Sequence, residues 1–200
     1  MLYIFDLGNV LIDIDFNRVL GVWSHLSATP LHELQSKFSL DENFARHEKA
    51  LLSDEAFAQA VSEQLGIYLS FEQFIEGWNA IFIGIRPGVL DLVRQIKAQG
   101  HRVVMLSNTN LAHTLYWQSE YPEVLAPFDH VYLSHEIGMR KPDKEIYEYV
   151  LNQEGYKAEG TIFFDDNQDN INGAKTLGIE SVLVSDKTTI ERYLKSRNIL

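Results

Sequence analysis

Short apolar runs recur along the chain, and most of them end on small or acidic polar residues. Leu2–Leu7 meets Gly8 and Asn9, Arg102–Leu106 ends at Ser107 and Asn108, His130–Leu133 follows, Thr161–Phe164 ends at Asp165 and Asp166, and Ser181–Val184 is the last. Each is short and rich in β-branched or aromatic residues, which suits a buried strand. Helical patterns separate them. Pro87–Gln99 opens on a proline and stops at Gly100, while Pro142–Gln153 and Asp169–Leu177 have Gly155 and Gly178 just past their ends. Proline fits a first helical turn, where its missing N–H has no intrahelical partner, and glycine fits the turn that ends a helix. Strands alternating with helices of this length imply right-handed βαβ units. The expected fold is α/β, a Rossmann-like parallel sheet with helices on both faces.

Residues 14–84 break the alternation. They carry helical patterns over Phe16–Leu26, Leu31–Phe38, Asp54–Leu65 and Phe71–Ile81, with no clear strand. Ser53 before Asp54 and Glu55 reads as an N-cap with acidic residues in the first turn. Ser70 with Gln73 three residues on reads as a capping box. The stretch is expected to be an all-helical cap, residues 14–84, inserted into a core of residues 1–13 and 85–200. Its aromatics, Trp23, Phe57, Phe71, Phe74 and Trp78 with Phe16, Phe38 and Phe44, are expected to be mostly its own core.

Composition narrows the function. The chain has 200 residues, enough for one core with a modest insert. It has no cysteine, which removes disulfides, thiolate metal sites and cysteine nucleophiles together. Its histidines show no HxxH or HxxxH spacing, so no zinc site is expected. Without a GxGxxG or Walker A pattern, a nucleotide cofactor is not expected either. The net charge of −11 repels nucleic acid and anionic membrane, so neither is expected as a partner. A phosphate site in such a chain needs local cations. No apolar run approaches the ~18 residues of a membrane span. The opening MLYIFD lacks the basic stretch and cleavage site of a secretory leader, and a cytoplasmic location is the expectation.

An open parallel sheet binds ligands outside the carboxyl ends of its strands. Those ends hold Asp6, Ser107 with Asn108, and Asp165 with Asp166, and Lys141 lies after the third run. Carboxylates gathered together repel unless a cation sits between them, and hard oxygen ligands suit Mg²⁺. Ser107 and Lys141 offer a donor and a positive charge to phosphate oxygens, and backbone N–H groups after Asp6 and at the helix following Ser107 add more. A carboxylate can itself attack phosphorus. Each residue also has a plainer reading: Asp6 as a turn residue, Ser107 and Asn108 as helix caps, Lys141 as a solvated lysine, and Asp165–Asp166 as a polar loop tied down by Asn170. In the insert, Arg46, His47 and Glu48 either reach the substrate or form a solvated helix face. Trp78 reads as packing, with Asn79 beside it.

The segments FDLGNVL (5–11), VVMLSNTN (103–110), MRKPDKEIY (139–147) and IFFDDNQDNINGAKTLGI (162–179) resemble, in order, the four motifs of the haloacid dehalogenase superfamily. Residues 14–84 stand where that superfamily carries a helical cap. Within it the chain most resembles bacterial α-D-glucose-1-phosphate phosphatases, which share the DLGNV opening, and is similar to the phosphatase domain of soluble epoxide hydrolase. The resemblance implies a phosphatase acting on a small phosphorylated substrate, with Mg²⁺, Mn²⁺ or another divalent cation. It implies Asp6 as nucleophile and metal ligand. Ser107 would hold the phosphoryl oxygens, with Asn108 beside it, and Lys141 would stabilise charge on phosphate and Asp6. Asp166 would be a metal ligand and Asp165 a partner of Lys141 or a group behind the ligands, with Asn170. One position departs. Most phosphatases of the superfamily place a second aspartate two residues after the nucleophile, as general acid and base, and here that position is Gly8. Glycine keeps the backbone carbonyl for the metal but removes the proton donor, which suits a good leaving group such as an anomeric oxygen. A haloacid dehalogenase and a non-catalytic binding protein on the same scaffold are the alternatives.

Overall fold

The computed structural model describes residues 1–199. Its strands are β1 (Leu2–Phe5), β2 (Ile12–Ile14), β3 (Phe82–Ile85), β4 (Arg102–Ser107), β5 (His130–Leu133), β6 (Thr161–Asp165) and β7 (Glu180–Leu183). Its helices are α1 (Phe16–Ser27), α2 (Leu31–Lys37), α3 (Glu42–Glu48), α4 (Asp54–Leu65), α5 (Phe71–Asn79), α6 (Val89–Ala98), α7 (Leu111–Glu120), α8 (Ser134–Ile137), α9 (Lys144–Glu154), α10 (Gln168–Thr176) and α11 (Thr189–Ser196). Five strands form one parallel sheet in the order β5-β4-β1-β6-β7. No helix among the described residues is long and apolar enough to cross a membrane.

Alternation along the strands divides the core. Tyr3, Phe5, Val103, Met105, Ile162 and Phe164 pack in one cluster with α6, α7 and α11. Leu2, Ile4, Val104, Leu106 and Phe163 pack in the other with Ile146, Tyr147, Ile171 and Ala174 of α9 and α10. Side chains on successive strand residues point to opposite faces, so a strand that is apolar throughout needs cover on both. The register sets Phe5 beside Met105 on β4 and Phe164 on β6. Three strands therefore end side by side on one edge.

Helices α1–α5 lie between β2 and β3, which pair antiparallel with an irregularity at Asp13/Ile14. Ser53 accepts from Ala56 N–H, and Ser70 with Gln73 makes both arms of a capping box. Trp23 and Phe74 stack at 4.6 Å, Trp78 lies 5.1 Å from Phe57, and all four are buried. The expectation of no strand in 14–84 is corrected by this ribbon. Its strands are three and four residues long, too short for alternation to register. Helix α3 also lies outside the expected helices. It has Phe44 and Ala45 as its apolar residues and owes its start to Asp41, whose carboxylate accepts from Asn43 and Phe44 N–H.

Asp13 fastens the ribbon. Its carboxylate bonds Arg86 Nε at 2.6 Å and Lys187 Nζ at 2.8 Å. Burial would raise the carboxyl, but Lys187 and Arg86 outweigh it and hold it below the ordinary aspartate range. A lowered folded pKa gives stability that is full above the unfolded value of about 3.9 and fades as pH falls through the folded value. Asp13→Asn is expected to cost about 1 kcal/mol at neutral pH, the scale of a partly screened pair. Urea unfolding at successive pH values checks it, since the gap to the native sequence should close as pH drops below about 4.

Candidate active site

Lys141 is the centre of the sheet edge. It is 1% exposed, and its ammonium donates to Asp6 Oδ1 at 2.7 Å, Asp165 Oδ2 at 2.6 Å and the Leu106 carbonyl at 2.9 Å. All three of its donors are thus spent on protein. Burial disfavours the ammonium, but Asp165 and Asp6 outweigh that and lift its pKa above the ordinary lysine value. Two contacts fix its loop. Asn108 donates to the Lys141 carbonyl at 2.9 Å and accepts from its N–H at 2.8 Å. On the other side α10 presses close, because a Cβ at Gly173 would stand 2.5 Å from the Pro142 carbonyl oxygen. Only glycine lets the helix approach the loop this far.

Asp165 is fully buried and accepts from Lys141, from Asn170 Nδ2 at 3.1 Å and from Asn167 N–H at 2.8 Å. Asp166 points outward and is exposed. Asn9 Nδ2 donates to it at 3.1 Å, and Asn9 Oδ1 accepts from Ile14 N–H at 3.1 Å. Asn9 sits at φ 51°, a left-handed conformation that asparagine tolerates better than most residues.

Carboxylate oxygens of Asp6, Asp165 and Asp166 lie within 4.8 Å of one another. Among the described residues Lys141 is the one ammonium bonded to them, so ionising all three leaves two negative charges without a counterion. The strain shows in the acidities. Burial pushes Asp6 up to about 7, with Lys141 opposing and Asp165 adding. Partial loss of solvation at the crowded edge likewise raises Asp166, against the Asn9 hydrogen bond. A divalent cation would restore neutrality, and the donors are hard oxygens of the type Mg²⁺ takes. The residues fit such an ion.

The edge opens into a cavity of about 320 Å³ whose core wall includes Asp6, Gly8, Asn108, Lys141 and Asp166. The insert supplies Phe16, Leu40, Phe44 and Glu48, and Ile14 and Ile81 lie at its junctions. Phe16 and Phe44 therefore serve as cavity wall as well as cap core. Ser107 is not among the residues that line this cavity. It is buried behind the wall, and its hydroxyl makes only a long 3.4 Å contact to the Asn108 carbonyl. The Arg46–Glu48 cluster divides three ways. Arg46 is exposed, buried His47 bonds Asp54 Oδ1 at 2.6 Å, and Glu48 faces the cavity. Glu48 accepts from Arg140 Nε at 2.7 Å, and burial raises its pKa against that partner. His113 also lines the cavity, but burial lowers its pKa to about 3. Its Nε2 donates to the Trp78 carbonyl and its Nδ1 accepts from Asn110, so it has no proton to offer a substrate.

Residues 1–178 match the haloacid dehalogenase-like hydrolase family. The chain belongs to that family. D-ribitol-5-phosphate phosphatase of Bacteroides thetaiotaomicron is 27% identical over 184 residues, spanning 89% of this chain and 88% of that protein. The haloacid dehalogenase family enzyme bt-2542 of the same organism, solved with magnesium and inorganic phosphate, superposes with a TM-score of 0.78 at 31% identity, covering 91% of this chain and 92% of that one. A haloacid dehalogenase-like hydrolase of Porphyromonas gingivalis shares the fold at TM-score 0.81 and 24% identity, covering 97% of each chain. The site uses more of this sequence than the three strand ends and Lys141: Asn9, Arg140 and Asn167 all hold groups named above. Each lies inside a motif, beside a residue whose chemistry drew attention first.

Proposed function

We propose that this family hydrolase is a magnesium-dependent phosphatase, a phosphoric monoester hydrolase, that cleaves a small sugar phosphate through an aspartyl-phosphate on Asp6. α-D-Glucose 1-phosphate is the favoured ester. The observation that carries the reading is the buried Asp6–Lys141–Asp165 ladder, with Asp166 beside it, opening into a capped cavity. The Bacteroides relative named as a phosphatase, and the solved neighbour holding magnesium and phosphate, support it.

Asp6 Oδ1 is held by Lys141, which leaves Oδ2 to attack phosphorus. The P–O bond to the sugar breaks as the Asp6–P bond forms, and the departing sugar oxygen takes its proton from water. Water then attacks phosphorus, and inorganic phosphate leaves with Asp6 regenerated. Lys141 keeps Asp6 ionised and oriented, and Asn108 fixes the loop that carries it. Ser107 would hold phosphoryl oxygens, and Lys141 would do so by exchanging one of its three bonds. Asp6, Asp166 and the Gly8 carbonyl would hold the metal, with Asp165 and Asn170 behind them. Bound there, Mg²⁺ supplies positive charge to the phosphoryl oxygens.

Gly8 bears on the leaving group. A Cβ there would lie 4.0 Å from Asp6 Oδ2, so a side chain at this position stands beside the attacking oxygen. The same Cβ would meet Ile14 Cδ1 at 2.9 Å, so Ile14 fills part of the space an acid would need. An anomeric oxygen departs more readily than an ordinary alkoxide and needs that acid less. General acid help is worth ~10²–10⁴-fold where it is needed. The expected result is kcat/KM at least ~10-fold higher for glucose 1-phosphate than for glucose 6-phosphate, with phosphate release abolished by EDTA and restored by Mg²⁺. Preference for a primary ester, the kind of phosphate for which the ribitol relative is named, would overturn the Gly8 account. Haloacid hydrolysis surviving EDTA would point to a dehalogenase instead, and failure to turn over any ester would point to a binding role.

A further inference from the structure

We infer that Glu48 is the leaving-group subsite of this enzyme, an acceptor on the cap wall that takes a hydroxyl of a neutral, polyhydroxylated leaving group, with Arg140 holding it in place. The inference rests on the phosphatase reading above and deepens it.

Of the residues that line the cavity from the insert and its junctions, Ile14, Phe16, Leu40, Phe44 and Ile81 are apolar. Glu48 is the one among them with a charged or hydrogen-bonding side chain. A carboxylate in an apolar wall is costly unless it is paired. Glu48 is paired through one oxygen only. Oε2 accepts from Arg140 Nε at 2.7 Å, while Oε1 has no hydrogen-bond partner among the described residues. Oε1 is also absent from the sealed, unsatisfied polar atoms of the structure. The side chain is 9% exposed, so its remaining access is through the cavity it lines. One oxygen is thus anchored and the other is a free acceptor facing the space beyond the phosphate site.

The anchor ties this acceptor to the catalytic end. Arg140 is the neighbour of Lys141, and its bond to Glu48 crosses from the core to the last residue of α3. A sugar ring fits such a wall in both senses: its C–H faces lie on Phe16 and Phe44, and a hydroxyl donates to Glu48. Most specific small-molecule sites combine apolar surface with a few placed polar groups in this way. A leaving group carrying its own carboxylate or a second phosphate meets like charge at Glu48 and is disfavoured.

The test compares two esters in Mg²⁺ buffer, glucose 1-phosphate and p-nitrophenyl phosphate, whose leaving group has no sugar hydroxyl. Glu48→Met keeps the side chain's length and removes the acceptor. The ratio of kcat/KM, sugar ester over aryl ester, is expected to fall at least ~10-fold, the scale of one charge-assisted hydrogen bond. Equal falls for both esters would mean that the pair is only a structural tie between cap and core, and would overturn the subsite. A second measurement needs no variant. Among monodeoxy analogues of glucose 1-phosphate, at least one should lose a similar factor on the unmodified enzyme, and no loss for any of them would also overturn it. Absence of turnover of both parent esters by the unmodified enzyme is the separate result that removes the phosphatase reading itself.

Discussion

Asp6→Asn is expected to lower kcat by at least about 10³-fold, the scale of losing a group that acts in the transition state. The amide matches the carboxylate in shape but has no charge with which to attack phosphorus. The fold should survive. Lys141 keeps Asp165 and the Leu106 carbonyl as acceptors after the change. The substitution also removes one of three carboxylates crowded within 4.8 Å, and the one that burial pushes up to about 7. Metal-free variant should therefore melt no lower than the unmodified protein. Phosphate release and thermal unfolding, measured on the same preparation, check both halves. Substantial turnover in a folded variant would remove Asp6 as nucleophile.

Lys141→Met should hit stability and activity together. Asp165 is fully buried and, among the described residues, draws its only cationic contact from Lys141. Asp6 depends on the same ammonium. Removing one partner of a buried ion pair leaves uncompensated charge and costs about 3–5 kcal/mol. Activity should fall by at least about 10³-fold for the same electrostatic reason. Adding Asp165→Asn removes one of the two stranded carboxylates, so the double variant should regain part of the lost stability without regaining activity. The two changes then depart from additivity, as groups in direct contact do. A Lys141→Met loss below about 1 kcal/mol would show that the pair is solvated, contrary to its burial.

These predictions draw on residues at strand ends, where the sequence is most readable. β-Branched and aromatic runs mark all five strands of the parallel sheet, and their register carries Asp6, Ser107 and Asp165 to the same edge. Helix boundaries at Ser53 and Ser70 were legible because capping is local chemistry. What the sequence left unread depends on contacts between distant segments. The β2–β3 ribbon joins residues about seventy apart through very short strands. Helix α3 has little apolar pattern, so the sequence leaves Glu48 open between substrate and solvent until Arg140, 92 residues away, is seen to hold it. Ser107 is the reverse case. Its motif position is clear, but its burial follows from packing that no spacing encodes.

The central claim is that the phosphoryl group passes through Asp6. The stereochemical course at phosphorus tests this most directly. A phosphorothioate analogue of the ester, chiral at phosphorus through two oxygen isotopes, is hydrolysed in water carrying the third isotope, and the configuration of the released inorganic thiophosphate is determined. Attack by Asp6 followed by attack of water makes two in-line displacements, each inverting the centre. The account predicts net retention. Net inversion would mean that water attacks the ester in a single step, and would contradict it.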